Sequence, residues 1–367
     1  MAESFLPDIN GVTNSVLRVV EHLERRGHQA MVIAPGIGSD RIGDTPVERV
    51  PAVTVPLYRT MNVGLPAKPR VHAALAAFRP DVVHLAAPVV LGAAAAAAAA
   101  DRGIPAIAVF QTDVAGFAAR YRLAAASPAI WGWLKRVHNS AVLTLAPSTM
   151  AVWELQRRGI RPVAHWGRGV DAERFRPGHR SEALRRRLAP RREVLVGYVG
   201  RLANEKRVDL LAHVETLPGV RTVVVGDGPA RASLERKLHR TRFLGFRTGA
   251  ELSQLVASFD IFVHTGADET FCQAVQEALA SGVPVVAPAA GGPLDLVQHG
   301  SNGFLYPPGE PELMREAVAA LAANPALRAR LGQQAQESVR GRSWSELGDE
   351  LLGHYAAVIA NGHARAA

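Results

Sequence analysis

The chain is poor in the groups that mark several protein classes. Of its 367 residues one is cysteine, Cys272. A lone thiol makes no internal disulfide, so a disulfide-stapled secreted scaffold is excluded and a reducing cytoplasm fits best. The start, MAESFLPDING, has no basic region followed by an apolar core, so no targeting segment is evident. Long apolar runs are missing too. The most apolar stretch, PVVLGAAAAAAAA at 88–100, is closed by Asp101 and Arg102 and falls short of the ~20 residues a membrane span needs. Alanine is the best helix former, so a packed helix is expected there, and any membrane contact is expected to be peripheral. There is no Asp-x-Asp to hold a metal-bound diphosphate, no P-loop, no G-x-S-x-G, no H-E-x-x-H and no Cys-x-x-Cys. No GxGxxG spacing occurs in the Gly-rich turn after VVV, which argues against a dinucleotide cofactor.

What is present is a globular composition: 48% apolar, 20% charged, long enough for two domains with separate cores. The formal charge is +9. That excess fits either a solubilising surface or an affinity for phosphates or an anionic membrane. Nucleic acid is disfavoured, since no lysine-rich tail, zinc spacing or basic helix interleaved with aromatics is present.

Short β-branched runs alternate with helical stretches. QAMVIAP (29–35), DVVHLA (81–86), PAIAVF (105–110) and AVLTLAP (141–147) read as strands, separated by helices at 13–26, 66–78, 89–102, 127–139 and 148–158. The Gly-, Pro- and Arg-rich HWGRGVDAERFRPGHR (165–180) breaks the rhythm, which then restarts at EVLVGYVGR, with a helix at 204–216 and the strand VRTVVVGDGP. This alternation predicts parallel strands joined by crossover helices. The fold class is α/β, two Rossmann-like doubly wound domains: 1–170, a linker at 171–190, 191–342, and a C-terminal helix and tail at 343–367. Ligands on such sheets bind beyond the carboxyl ends of the strands, here in a cleft between two domains. The loop SFLPDINGVTN follows Met1 with no room for an opening strand. We expect an upstream in-frame start adding roughly 5–10 residues, one strand's length; sequencing of the native N-terminus tests this.

Four stretches stand where a strand ends and a helix begins. In PDINGVTN (7–14), Gly11 allows close backbone approach and Thr13 or Asn14 can cap a helix; an ordinary capped helix and an anion site are both open. In VGRLANEKR, Arg201 and Lys206 flank a helix start and could hold a diphosphate, or Glu205 could pair locally on a solvated surface. VVVGDGPAR, which contains Asp227, reads equally as a tight turn. In ETFCQAVQEALASG, Glu269 precedes a helix expected from about Phe271 to Ala280, with Gly282 as its stop. The amides of Phe271, Cys272 and Gln273 are then first-turn donors, and Glu277 lies deeper along the helix. Two carboxylates beside an anion-binding helix mouth suit a ligand with a diphosphate and two diols, such as a nucleotide sugar. His84, His138, His165 and His264 are scattered and read as structural or surface residues.

Together and in order, Glu-x7-Glu, GRLANEK, GDGP and ASGVPVVAPAAGGPLDLV resemble the retaining glycosyltransferases of family 4, which have the GT-B fold, over nearly the whole chain. ESFLPDINGVTNSV, VFQTDVAGFA and ETFCQAVQEALASG are similar to an actinobacterial subgroup of GDP-mannose-dependent α-mannosyltransferases with lipid or glycolipid acceptors. The resemblance implies that Gly11 faces the donor phosphates and that Arg201 and Lys206 neutralise the leaving diphosphate. Asp227 joins the donor contacts. Glu269, with backbone near Phe271, Cys272 and Gln273, would grip the transferred sugar, and Glu277 the ribose diol. No cofactor and no metal is expected. Many relatives carry a His after the strand PAIAVF; here Gln111 stands there, and Asp113 is expected to take part of the role. The competing readings are a UDP-sugar enzyme acting on a soluble metabolite, a non-catalytic nucleotide-sugar-binding protein, and epimerisation or phosphorolysis on the same fold.

Overall fold

The computed structural model describes residues 1–8, 10–55, 58–64, 68–113, 116 and 124–366. It divides into two compact units, Met1–Arg168 with Trp344–Ala367, and Gly169–Ser343.

The strands of the first unit are β1 (Val32–Pro35), β2 (Arg41–Ile42), β3 (Thr45–Val50), β4 (Ala52–Val55), β5 (Tyr58–Gly64), β6 (Val83–Ala86), β7 (Ala106–Val109), β8 (Leu143–Ala146) and β9 (Val163–His165). Strands β6, β7, β8 and β9 form a parallel sheet in chain order. A second sheet runs β1–β3–β2. Ala2 joins the two: its N–H donates to the carbonyl of Ile33 (3.0 Å), and the Ala86 N–H donates to the carbonyl of Met1 (2.9 Å).

Alternate residues of β7 face opposite cores, as a doubly covered sheet requires. Ala106 and Ala108 pack with Ala95, Ala96, Ala98 and Ala99 of the helix Leu91–Ala100, so the alanine run is a packed helix. Ile107 and Val109 pack instead with Leu347, Leu351, Tyr355 and Val358 of the last helix, Trp344–Ala366. That helix, expected as a C-terminal helix and tail apart from both domains, therefore packs on one face of the first sheet. Polar ties hold it as well, and Arg26 Nε donates to Asp349 (2.8 Å). Trp166 Nε1 donates to the Leu347 carbonyl (2.9 Å), His84 Nδ1 meets the Tyr355 hydroxyl (2.7 Å), and buried His22 meets Asp349 (3.0 Å).

The second unit contains β10 (Val194–Val199), β11 (Val220–Val225), β12 (Arg242–Phe243), β13 (Ile261–Val263), β14 (Val285–Pro288) and β15 (Gly303–Tyr306). They form one parallel sheet, ordered β12–β11–β10–β13–β14–β15. Burial on both faces explains the unbroken Val223–Val225 run: Val223 and Val225 enter one core and Val224 the other.

Two expected elements differ. The stretch 171–190, read as a linker, carries a helix, Glu182–Leu188, capped by the Ser181 hydroxyl. Asp260 accepts from Arg180 (2.9 Å) and Arg185 (2.8 Å), and Phe175 and Leu188 are buried in the core, so the stretch is built into the second unit. The helix read at 204–216 is two 3₁₀ segments, Asn204–Lys206 and Val208–His213, separated by Arg207 in the left-handed region (φ 48°). Buried Val208, Leu211, Val214 and Leu217 recur every third residue, which is the period of a 3₁₀ helix.

Candidate active site

Eight of the ten site residues read from the sequence lie in the second unit, and Gly11 and Asp113 lie in the first. The second-unit group follows the carboxyl ends of β10, β11 and β13, where a parallel doubly wound sheet presents its loops.

The loops after β10 and β11 interlock. A Cβ at Gly226 would stand 1.9 Å from the Gly200 carbonyl, and one at Gly228 would stand 2.3 Å from that of Leu202. Only glycine permits that approach. The Leu202 N–H then donates to the carbonyl of Asp227 (2.9 Å), so the turn GDGP positions the loop that carries Arg201. The Asp227 carboxylate itself accepts from the Gly228 N–H and Arg231, both at 2.8 Å, a local turn arrangement on an exposed side chain. Arg201 is ion-paired with Glu205 through Nη2 and leaves much of its guanidinium in solvent.

Lys206 and Glu269 form the centre. Lys206 Nζ donates to Glu269 Oε1 at 2.6 Å, and the Lys206 carbonyl accepts from the Thr265 hydroxyl (2.6 Å), so the loops after β10 and β13 are clamped together. Burial alone would raise the Glu269 carboxyl, but His264 and Lys206 outweigh it and hold it at about 2. Burial opposes the Lys206 charge as well, yet Glu269 keeps the ammonium above its ordinary value. The Glu269 backbone is fixed from the other side, where its carbonyl accepts from the Gly292 N–H (2.8 Å).

His264, read from the sequence as structural or surface, belongs to this cluster. Its Nε2 lies 3.1 Å from Glu269 Oε1, and its ring stacks on Tyr198 with centroids 6.2 Å apart. The Tyr198 hydroxyl in turn donates to the Arg201 carbonyl (3.4 Å). Its sequence signal was its place, one residue beyond β13 and five before Glu269.

The helix after Glu269 begins at Gln273 and runs to Ala280, two residues shorter than expected. Cys272 is its N-cap, with φ 84° and ψ 72°, a left-handed conformation uncommon for a side chain larger than glycine. Phe271 stays outside the helix, and its ring is buried in the core. Gln273 donates to the Gly169 carbonyl (3.1 Å) and to Gln276 Oε1 (3.3 Å). Glu277 is half-buried in the helix; burial pushes its carboxyl up to about 8 despite Arg174, with Asp171 adding to the rise.

In the first unit the cap of the helix Gly11–Arg25 is Asn10, where Thr13 or Asn14 had been expected. Asn10 Oδ1 accepts from the N–H groups of Val12 (2.9 Å) and Thr13 (3.0 Å). Thr13 instead donates its hydroxyl to the Asp8 carbonyl (2.8 Å). Arg168 was not singled out in the sequence, yet it ties two expected positions together. Its Nη1 donates to the Gly11 carbonyl (3.0 Å) and its Nη2 to Gln111 Oε1 (2.8 Å). Burial draws its guanidinium down to about 10, which leaves it charged at neutral pH. Asp113 Oδ1 accepts from the Gly116 N–H (2.7 Å). The rest of the VFQTDVAGFA motif beyond Asp113, apart from Gly116, lies outside the described residues, as does Ile9.

The chain thus has two α/β units, with cationic and carboxylate side chains gathered at strand ends of the second. The profile of "Glycosyl transferases group 1" matches residues 180–338 and that of "Glycosyltransferase Family 4" residues 9–174. The chain is 48% identical over 366 residues to a GDP-mannose-dependent alpha-mannosyltransferase of Corynebacterium glutamicum, covering 98% of this chain and 88% of that one. It is 49% identical to a protein of the same description from Mycobacterium tuberculosis, covering 98% and 96%. Among solved structures, Anabaena HepE in complex with UDP superposes with a TM-score of 0.77 at 22% identity, covering 96% of this chain and 98% of that one. Sucrose-phosphate synthase from Thermosynechococcus elongatus gives 0.80 at 19%, covering 96% and 94%. The chain belongs to the family 4 glycosyltransferases and has their GT-B fold.

Proposed function

We propose that this enzyme transfers mannose from GDP-mannose to a lipid or glycolipid acceptor, with retention at the anomeric carbon. The donor reading is carried by the near-half identity, over almost the whole chain, to proteins described as GDP-mannose-dependent alpha-mannosyltransferases. In the reaction the acceptor hydroxyl oxygen bonds to the anomeric carbon, the bond from that carbon to the diphosphate oxygen breaks, GDP leaves with the electron pair, and the hydroxyl proton passes to the departing diphosphate. Arg201 and Lys206 supply fixed positive charge to that leaving group, in place of a divalent ion. Glu269, held ionised by Lys206 and His264, accepts hydrogen bonds from sugar hydroxyls. Glu277 takes the ribose diol; its carboxyl, pushed up to about 8, enters as a hydrogen-bond donor as well as an acceptor at neutral pH. Gly11 faces the phosphates, and Arg168 orients Gln111, which stands in for the His that many relatives carry.

Support for action at a membrane surface comes from the first unit. No helix among the described residues is long and apolar enough to cross a membrane. The helices Ser127–Asn139 and Thr149–Arg157 expose Trp133 (41%), Trp153 (48%) and Met150. Basic side chains share these helices: Arg157 lies over the Trp153 ring at 4.5 Å, and Lys135 and Arg136 are exposed. Amphipathic aromatics among cations suit a headgroup region.

Calorimetry with GDP-mannose, UDP-glucose and GDP, in the presence of chelator, tests the donor. Tightest binding of GDP-mannose is expected; preference for the UDP-sugar would instead support the rival enzyme, and no binding of any would sink both. Cosedimentation with vesicles tests the surface: binding should rise with anionic lipid and fall in Trp133→Ala/Trp153→Ala. Binding indifferent to lipid charge counts against it.

A further inference from the structure

The residues around Glu269 have a second capacity. One potential ligand atom each from His264, Glu269 and Cys272 lie within 4.8 Å of one another. His264 is 2% exposed, and neither of its ring nitrogens makes a hydrogen bond. Its Nε2 approaches Glu269 Oε1 without the alignment for one, and that oxygen already receives the Lys206 ammonium. Cys272, the sole cysteine, is buried at the same point, and its left-handed backbone sets where its side chain starts.

We propose that His264, Glu269 and Cys272 form a three-ligand site for a thiophilic divalent cation, zinc by its donor set, and that the cation excludes the donor sugar. The second half rests on the proposed GDP-mannose reading; the first does not. Thiolate, imidazole and carboxylate form a zinc set, whereas magnesium requires oxygens. Zinc bonds of about 2.0–2.3 Å put tetrahedral ligands roughly 3.3–3.6 Å apart, so side-chain rotations of about an ångström close the present spacing. The fourth position stays open to water. On binding, the Cys272 thiol and the protonated His264 ring each give up a proton to solvent, Glu269 is already ionised, and His264 then ligates as neutral imidazole. Glu269 is the point of conflict: a carboxylate held by the cation is withdrawn from Lys206 and from the sugar hydroxyls. The sign of this effect is opposite to that of a catalytic metal. Chelator should raise transfer in zinc-treated enzyme rather than abolish it.

The test uses the metal-free full chain. Cobalt(II) serves as the spectroscopic probe, and zinc affinity is read by competition with a chromophoric chelator. Wild type should show a thiolate-to-cobalt charge-transfer band and one zinc per chain. Cys272→Ser should lose the band. His264→Asn should keep its circular dichroism and weaken zinc at least about tenfold. No band in wild type, or unchanged zinc affinity in a folded His264→Asn, overturns the site. Zinc should also weaken GDP-mannose binding, with full recovery on adding chelator; zinc and GDP-mannose binding independently overturns the exclusion. A protein that binds cobalt through its thiolate but no GDP-mannose would sink the proposed function and leave the metal site standing.

Discussion

Replacing Glu269 with Gln removes the one negative charge shared by Lys206 and His264. The side chains of Lys206 and Glu269 are 22% and 15% exposed, so solvent screens the pair little. The folded carboxyl sits at about 2 against an ordinary 4.5, a difference worth about 3 kcal/mol of stability at neutral pH. Gln cannot supply it, and the Lys206 ammonium is left buried beside an imidazole. Removing one partner of a buried pair typically costs about 3–5 kcal/mol, and the two figures agree. The pH dependence follows from the sign. A depressed carboxyl stabilises the fold above its unfolded value, and the contribution drains away as pH falls from 4.5 towards 2. At pH 3.5 the unfolded chain has already taken up most of a proton that the native chain refuses, which removes about 1 kcal/mol from wild type and nothing from Glu269→Gln.

The assay is urea unfolding of both proteins at pH 7 and pH 3.5. The gap between them should be several kcal/mol at pH 7 and narrow by about 1 kcal/mol in acid. A gap below 1 kcal/mol at pH 7, or one that widens in acid, refutes the ion-pair account. Lys206→Met should cost a comparable amount. The double variant should cost less than the two together, since each single change already breaks the same pair.

Arg201→Ala should lower transfer about 10²–10³-fold, with circular dichroism showing the fold retained although Glu205, 9% exposed, loses a cation; turnover within threefold of wild type would remove it from the mechanism. Glu277→Gln should flatten stability against pH: the raised wild-type carboxyl favours the fold below 4.5, an advantage of up to about 5 kcal/mol lost as pH rises to 8, and parallel curves for the two proteins would contradict that burial. Gly226→Ala puts a Cβ against the Gly200 carbonyl, so it should cost about 1–3 kcal/mol and weaken GDP binding through the displaced Arg201 loop; an unchanged urea midpoint would disprove the interlock.

How much of this was legible in the sequence depended on the range of the cause. Strand positions came from local patterning, so Val83–Ala86 and Leu143–Ala146 fall inside the runs read as strands. The order of short motifs pointed to Arg201 and Lys206 after one strand and to Glu269 and Glu277 after another, and the structure places them there. What stayed hidden is set by distant partners. Arg168 reaches Gly11 across 157 positions, and His22 meets Asp349 across 327. No local period announces such a pair, so the arginine draws no notice and the last helix reads as an element apart from the first domain. Composition misled at 171–190 for a related reason. Its arginines suggest a solvated linker until Asp260, far along the chain, is seen to collect two of them. Cys272 is the sharpest case. Left-handed backbone is signalled by glycine, and here a side chain occupies it. The preceding residues therefore read as helix, and the helix start came out two positions early. The same departure puts a thiol, where glycine would have none, next to His264 and Glu269. Where a sequence breaks the backbone's usual preference inside a charged cluster, the substituted side chain is the place to look for added chemistry, and here it supplies the third ligand.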